Sequence, residues 1–553
     1  MAWYDESFFY HIYPLGLTGA PKHNDYGEPV HRLNQLVPWI AHLKRLGITG
    51  LYIGPLFESV GHGYETTDYR KVDSRLGTNE DLAGFVRTCH EAGIRVILDG
   101  VFNHTGRDFF AFRDIRENRE NSPYRDWYCN VNFQGNNEYG DGFSYDNWGG
   151  YNLLVKLNQR NPSVRDYLLD VVRFWVSEFD IDGIRLDAAD VLDFEFMRAL
   201  RRTANEFGKD FWLMGEVIHG DYSRWANSDT LHSVTDYALH KALYSGHNDH
   251  NYFEIAHTVR RTNGLVPANI RLYNFVDNHD VDRIWSKLNN KAHYLPVHVL
   301  LFALPGIPSV YYGSEFGIEG RKERWSDDPL RPFIDLEEQE KSERANTCAQ
   351  LIARLGLIYS VYKELALGDY RELFLTTGQY AFARGSLIAA ANNADISADI
   401  HAAAAGGEYA GLIGGQRVMA RDGYLDLHLE PCSGEIFAPA DERYSAYLEW
   451  TGGKGIPRQA ISRELPGNSS TAAEGRNIPP AGSPAAEAEG GPRVKVITAA
   501  EIPDKPYEQM SVEELQAVIL AKMEKNGSVT ERMRRDVEEN IWHDSLVNWA
   551  KSF

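Results

Sequence analysis

Short apolar runs recur along most of this chain, and the stretches between them carry the period of amphipathic helices. The strand-like runs are 8–13, 49–53, 95–99, 183–187, 211–216, 231–235, 271–276 and 309–312. Between the first two, Leu33, Leu36, Val37, Ile40, Leu43 and Leu46 share one helical face over 30–46, and Gly47 stops the run. A second helix is predicted over 79–92, closed by Gly93, and a third over 162–179, with Pro162 in its first turn. Strands separated by helices cannot be joined as tight hairpins, so they pair in parallel. The fold class expected is α/β, a (β/α)8 TIM barrel, with a doubly wound open sheet as its rival. In a barrel, chemistry belongs at the C-terminal ends of the strands.

Four such ends carry polar motifs. The third run ends in Asp99-Gly-Val-Phe-Asn103-His104, the fourth in Arg185-Leu-Asp187, the fifth in Gly-Glu216-Val, and the seventh in Asp277-Asn-His279-Asp280. Residues two apart in a strand face one side, so Arg185 and Asp187 project together. A guanidinium beside a carboxylate favours its ionised form, as a nucleophile toward an electron-poor carbon requires. Asp187 is therefore expected to stay charged, and Glu216, between Met214 and Val217, to be raised by partial burial. Retaining glycoside cleavage needs such a pair about 5–5.5 Å apart. Adjacent strands about 4.8 Å apart supply that spacing.

Taken in order, the four motifs resemble the signature regions of the α-amylase family, glycoside hydrolase family 13, and the resemblance covers 1–438. The nearest branch is that of neopullulanases and cyclomaltodextrinases, through Leu154-Val-Lys-Leu-Asn158, although the N-terminal domain of that branch is not expected here. The resemblance implies Asp187 as nucleophile, Glu216 as general acid/base and Asp280 as the third carboxylate. It implies Tyr64, Asp68, His104, Arg185 and His279 as sugar-binding residues, with Asp99 shaping the site through Arg185. Tyr64 and Asp68 belong to HGYETTDY, where Glu65 replaces the usual Asp. No cofactor is required; a structural calcium is allowed, with Asn103 its candidate ligand and Asp108, Asp126, Asp141 and Asp146 as further oxygens.

Specificity is less well marked. Asp190 and Val191 follow the nucleophile where the family often has Lys-His, and Ile218 stands where the branch often has Trp, before His219. By likeness to the small α-glucosidases of the family, where Ala or Thr after the nucleophile goes with α-1,4 bonds and Val with α-1,6, the resemblance implies that Ala188 leans toward α-1,4 bonds. The reading is a retaining hydrolase of short malto-oligosaccharides or cyclodextrins. An exo-acting α-glucosidase or oligo-1,6-glucosidase, a transglycosylase or sucrose-phosphorylase-like transferase, and a non-catalytic carbohydrate-binding member stay open as alternatives.

The expected domains are the barrel over 1–104 and 160–370, an inserted domain over 105–159, a β-sandwich over 371–438, an extension and flexible linker over 439–492, and a helical extension over 493–553. Ser511-Val-Glu-Glu514 and Ser528-Val-Thr-Glu531 each form a capping-box pattern. The resulting helices are read either as a hairpin packed on the barrel or as a contact for a homo-oligomer. A net charge of −21 disfavours nucleic acid and anionic membranes as partners but leaves a neutral oligosaccharide unaffected. The start of the chain, MAWYDESFFYHIYP, lacks a leader pattern, no apolar run reaches the roughly 18 residues that span a bilayer, and the four cysteines form no framework. A cytoplasmic protein is expected.

Overall fold

The computed structural model describes residues 2–451, 505–507 and 510–526, apart from 209 and 325. Eight strands form the central sheet: Phe9–Ile12, Gly50–Ile53, Arg95–Gly100, Gly183–Leu186, Trp212–Gly215, Ser233–Val234, Tyr273–Phe275 and Ile307–Tyr311. Consecutive strands pair in parallel from the first to the sixth and from the seventh to the eighth, and the first also pairs with the eighth. A parallel bridge from Thr235 to Tyr273 joins the sixth strand to the seventh, which closes the ring. The architecture is the TIM barrel; the open sheet is excluded. The strands are buried on both faces, as the pattern of every residue in Phe9–Ile12, Gly50–Ile53 and Gly183–Leu186 shows.

The helix expected over 30–46 is split. A 3-10 turn covers Arg32–Leu36 and the α-helix runs only from Val37–Leu46, ending at Gly47 in the left-handed conformation. Pro38 is the reason: it has no N–H to donate back to residue 34, so it suits only the first turn of an α-helix. The helix Pro162–Phe179 is as expected, capped by the Asn161 side chain.

After the third strand, His104–Thr105 pairs antiparallel with 155–156, and the helix Phe110–Asn118 lies between them in sequence. Beyond the barrel helix Glu343–Val361, strands from Tyr370–Leu375 to Ser433–Pro439 build a six-stranded antiparallel sheet and a two-stranded one. Ile388, Ile400, Leu425, Leu427 and Phe437 form a separate apolar core between these sheets. The helix Glu442–Thr451 follows. Within the C-terminal stretch, the helix Val512–Asn526 is opened by the predicted capping box, with the Ser511 N–H donating to Glu514 Oε2 at 2.6 Å and the Glu514 N–H to Ser511 Oγ at 3.2 Å. The linker over 465–492 and the second capping box at Ser528 lie outside the described residues. No helix among the described residues is long and apolar enough to cross a membrane.

Candidate active site

The barrel ladder fixes where the two central carboxylates begin. The Asp187 N–H donates to Gly100 O on the third strand at 3.1 Å, and the Glu216 N–H donates to Leu186 O on the fourth at 2.9 Å. Each residue is thus hydrogen-bonded to a neighbouring strand just past the end of its own. Ala188 then takes a left-handed conformation, φ 46°, which costs a non-glycine residue roughly 1 kcal/mol or more. That turn aims the Ala188 N–H at Glu216 Oε2, 3.0 Å away.

One guanidinium ties the site together. Arg185 Nη1 donates to Asp99 Oδ1 at 2.8 Å and to Asp187 Oδ1 at 3.0 Å, and Nη2 lies 2.8 Å from Glu216 Oε2. Asp99 also accepts from the Tyr52 hydroxyl at 2.8 Å and the Tyr64 hydroxyl at 3.1 Å. Both Asp187 and Glu216 are 8% exposed, so they are screened by protein yet reachable. Glu216 Oε1 accepts from the Tyr237 hydroxyl at 3.2 Å. A small cavity of about 20 Å³, room for roughly one water, lies beside them, lined by His11, Tyr52, Arg185, Glu216, Tyr237 and His279 among others.

This geometry corrects the expected charge pattern. Burial pushes the Asp187 carboxyl well above its ordinary range; Arg185 opposes the shift, while Glu216, Asp99 and Asp280 reinforce it. The single charge of Arg185 is divided among three carboxylates, Asp99, Asp187 and Glu216. Around Glu216 the nearest groups are donors, Arg185, Ala188 and Tyr237, rather than the apolar pocket expected from Met214 and Val217.

The third carboxylate is set differently. Asp280 has a 33% exposed side chain; Oδ1 accepts from Arg331 Nη2 at 2.8 Å and Oδ2 lies 3.0 Å from His279 Nε2. Burial alone would raise its carboxyl, but His279, Arg331 and Lys322 overcome this and hold it well below the usual range. Asn278 Oδ1 accepts from the Asp280 N–H at 2.8 Å and fixes the loop. His279 stacks between Tyr13 and Tyr64, with ring centroids 6.0 and 5.7 Å away. His104 is buried; burial, with His62 nearby, pulls its imidazole down to about 3, so the ring is neutral.

Tyr64, Asp99, His104, Arg185, Asp187, Glu216, His279 and Asp280 come together, whereas Asp68 does not. Asp68 is exposed, and its Oδ1 accepts from the Arg70 N–H at 2.8 Å. It sits in the strand Thr66–Val72, whose alternation turns it outward next to the inward Tyr69. Its neighbour Glu65 is buried instead and accepts from the His62 and Gly63 N–H groups at 3.3 and 3.1 Å. Tyr52, Tyr237, Asn278 and Arg331 were not legible as site residues. Tyr52 is the penultimate residue of its strand, where an inward polar side chain is a usable signal; Arg331 carries none, being far from Asp280 in sequence.

The residues near Asn103 do not fit the allowed calcium. Asn103 Nδ2 points to His104 Nδ1 at 3.2 Å. Asp141 accepts from both terminal nitrogens of Arg107 at 2.8 Å, Asp146 from Asn130 at 2.9 Å, and Asp126 and Asp108 pair with Arg125 and Arg116. Among the described residues no three His, Cys, Asp or Glu side chains form a group that could hold a metal.

Residues 32–356 match the model of the α-amylase catalytic domain. The chain belongs to the α-amylase family. A maltogenic α-amylase of Bacillus acidopullulyticus is 33% identical over 58% of this chain and 57% of its own length. A cyclomaltodextrinase of Thermoanaerobacter pseudethanolicus is 31% identical over 71% of each. Among solved structures, a protein of Thermus thermophilus is 28% identical, with a TM-score of 0.70 over 79% of this chain and 100% of its own. The match spans 57% and 60% of the length of the first two curated relatives.

Proposed function

We propose that this α-amylase family member is a retaining α-glucan hydrolase that cleaves α-glucosidic, mainly α-1,4, bonds in short malto-oligosaccharides or cyclodextrins by double displacement. The observation that carries this reading is the pair Asp187 and Glu216, at the tips of adjacent strands and ion-paired with the two terminal nitrogens of one guanidinium. Two neighbouring carboxyl groups, one to attack and one to carry the proton, are what the reaction needs. Asp187 attacks the anomeric carbon while Glu216 protonates the departing oxygen; water, deprotonated by Glu216, then releases the sugar. Asp280, kept ionised and open to the cleft, binds sugar hydroxyls and favours the positive charge that develops on the ring. Tyr64 offers its ring, and His104 and His279 their nitrogens, to that same sugar.

The names of the relatives support α-glucans as the substrate class. The four cysteines are unpaired thiols, which suits the reducing cytoplasm as its location. Self-association through the C-terminal helices belongs to the same proposal, and sedimentation of the chain with and without 493–553 tests it.

Anomer-resolved NMR on maltotriose, a cyclodextrin, pullulan, isomaltose and sucrose, with and without phosphate, tests the chemistry. α-Maltose released first from maltotriose and the cyclodextrin is the expected result. A β-anomeric first product would overturn retention. Glucose from isomaltose alone, or a phosphate-dependent sugar phosphate, would replace the substrate assignment with one of its alternatives.

A further inference from the structure

Glu216 must serve as acid and then as base, and its two oxygens face different company. Oε2 accepts from the Ala188 N–H at 3.0 Å and forms an ion pair with Arg185 Nη2, 2.8 Å away. Both are permanent donors: a guanidinium and a backbone amide offer no lone pair to a carboxylic O–H. A proton on Oε2 would point into one of them. Oε1 has a single partner, the Tyr237 hydroxyl at 3.2 Å, and a hydroxyl can either donate or turn away.

The Tyr237 oxygen is itself anchored. Asn278 Nδ2 donates to it at 3.0 Å, so the hydroxyl hydrogen is free to go to Glu216. Its ring packs edge-on against Phe275 at 4.9 Å. The Asp236 N–H binds Tyr273 O at 2.9 Å, and the Asp236 side chain caps the helix Tyr237–Asn248 through the Leu239 N–H at 2.9 Å, which fixes where that helix starts. Burial, reinforced by Glu216 and Asp280, pushes the Tyr237 hydroxyl well above its ordinary value, so it stays a neutral O–H at working pH.

We propose that Tyr237 is a positioning residue for the general acid, assigning the transferable proton to Glu216 Oε1 and stabilising the charge left on that oxygen once the proton has gone. In the first half-reaction the Oε1 proton passes to the glycosidic oxygen, the bond from that oxygen to the anomeric carbon breaks, and an Asp187 oxygen bonds to the carbon. Oε1 then carries charge and accepts from Tyr237. In the second, water gives a proton to Oε1, its oxygen bonds to the carbon, and the Asp187 ester opens. This role rests on the glycosidase reading above.

The charged and titratable groups around Glu216 are Arg185, Asp187, Asp99 through Arg185, Asp280 and Tyr237. Only the last changes in the test. Wild type, Tyr237→Phe, and protein with 3-fluorotyrosine in place of Tyr237 are compared by kcat/KM on maltotriose and on α-maltosyl fluoride across pH. Maltotriose needs full proton transfer to its leaving group, whereas fluoride needs little. Tyr237→Phe is expected to lower kcat/KM for maltotriose about tenfold or more and for the fluoride less than about threefold. It also moves the basic limb up by about one pH unit. The 3-fluorotyrosine protein, with a stronger donor and the same shape, moves that limb down. Equal losses on both substrates with a stationary limb would overturn the role. Folded wild type inert on both substrates would instead overturn the glycosidase reading, and this role with it.

Discussion

Arg185 Nη2 lies 2.8 Å from Glu216 Oε2, so the arginine of the Arg185-Leu-Asp187 motif serves the carboxylate of the next strand as well as its own. One positive charge therefore organises Asp99, Asp187 and Glu216, and the site carries more negative charge than its cation balances.

Asp187→Asn is expected to reduce turnover of maltotriose by about 10⁴-fold or more while leaving the fold intact. The amide keeps the shape and one acceptor for Arg185 but cannot form the covalent intermediate. Turnover within tenfold of wild type, with an unchanged unfolding transition, would rule out Asp187 as the nucleophile.

Arg331 holds Asp280 through one bond of 2.8 Å and carries the loop through a second, from Nε to His279 O at 3.0 Å. Arg331→Gln removes the charge-assisted bond, which is worth about 1.5–3 kcal/mol. We expect kcat/KM on maltotriose to fall about 10- to 100-fold, with the loss greatest at the acid end because Asp280 then protonates at higher pH. A loss that is flat with pH would mean that Arg331 acts on the loop alone.

Asp68→Asn is expected to change kcat/KM by no more than about twofold, as an exposed substitution outside the site should. A loss of tenfold or more would restore the sugar-binding role that the motif suggested for it.

Acid stability should follow the buried histidines. Burial pulls His104, His232 and His247 down to about 3 and His298 to about 4, against about 6.5 in an unfolded chain. Folding keeps these rings neutral, so their contribution is fully present above pH 6.5 and is lost as pH falls, by up to about 1.4 kcal/mol per pH unit for each. Urea midpoints at pH 7.5, 6 and 5 should drop in that order, and a midpoint constant from pH 7.5 to 5 would contradict this.

The sequence by itself determined the barrel and most of the site. The alternation of apolar runs with helical faces is a local property, and pairing in parallel follows from the length of each connection. Asp187, Glu216 and Asp280 were legible because each ends such a run. The register of the barrel then set what local pattern could not. It brought Arg185 to a carboxylate on the next strand, and it placed the loops after the sixth and eighth strands so that Tyr237 reaches Glu216 and Arg331 reaches Asp280. Asp68 stood in a matching motif, but strand alternation faced it to solvent. The proton balance of Asp187 also belongs to the tertiary structure. A carboxylate beside an arginine reads as ionised in one dimension, whereas burial and the neighbouring carboxylates oppose the arginine in three.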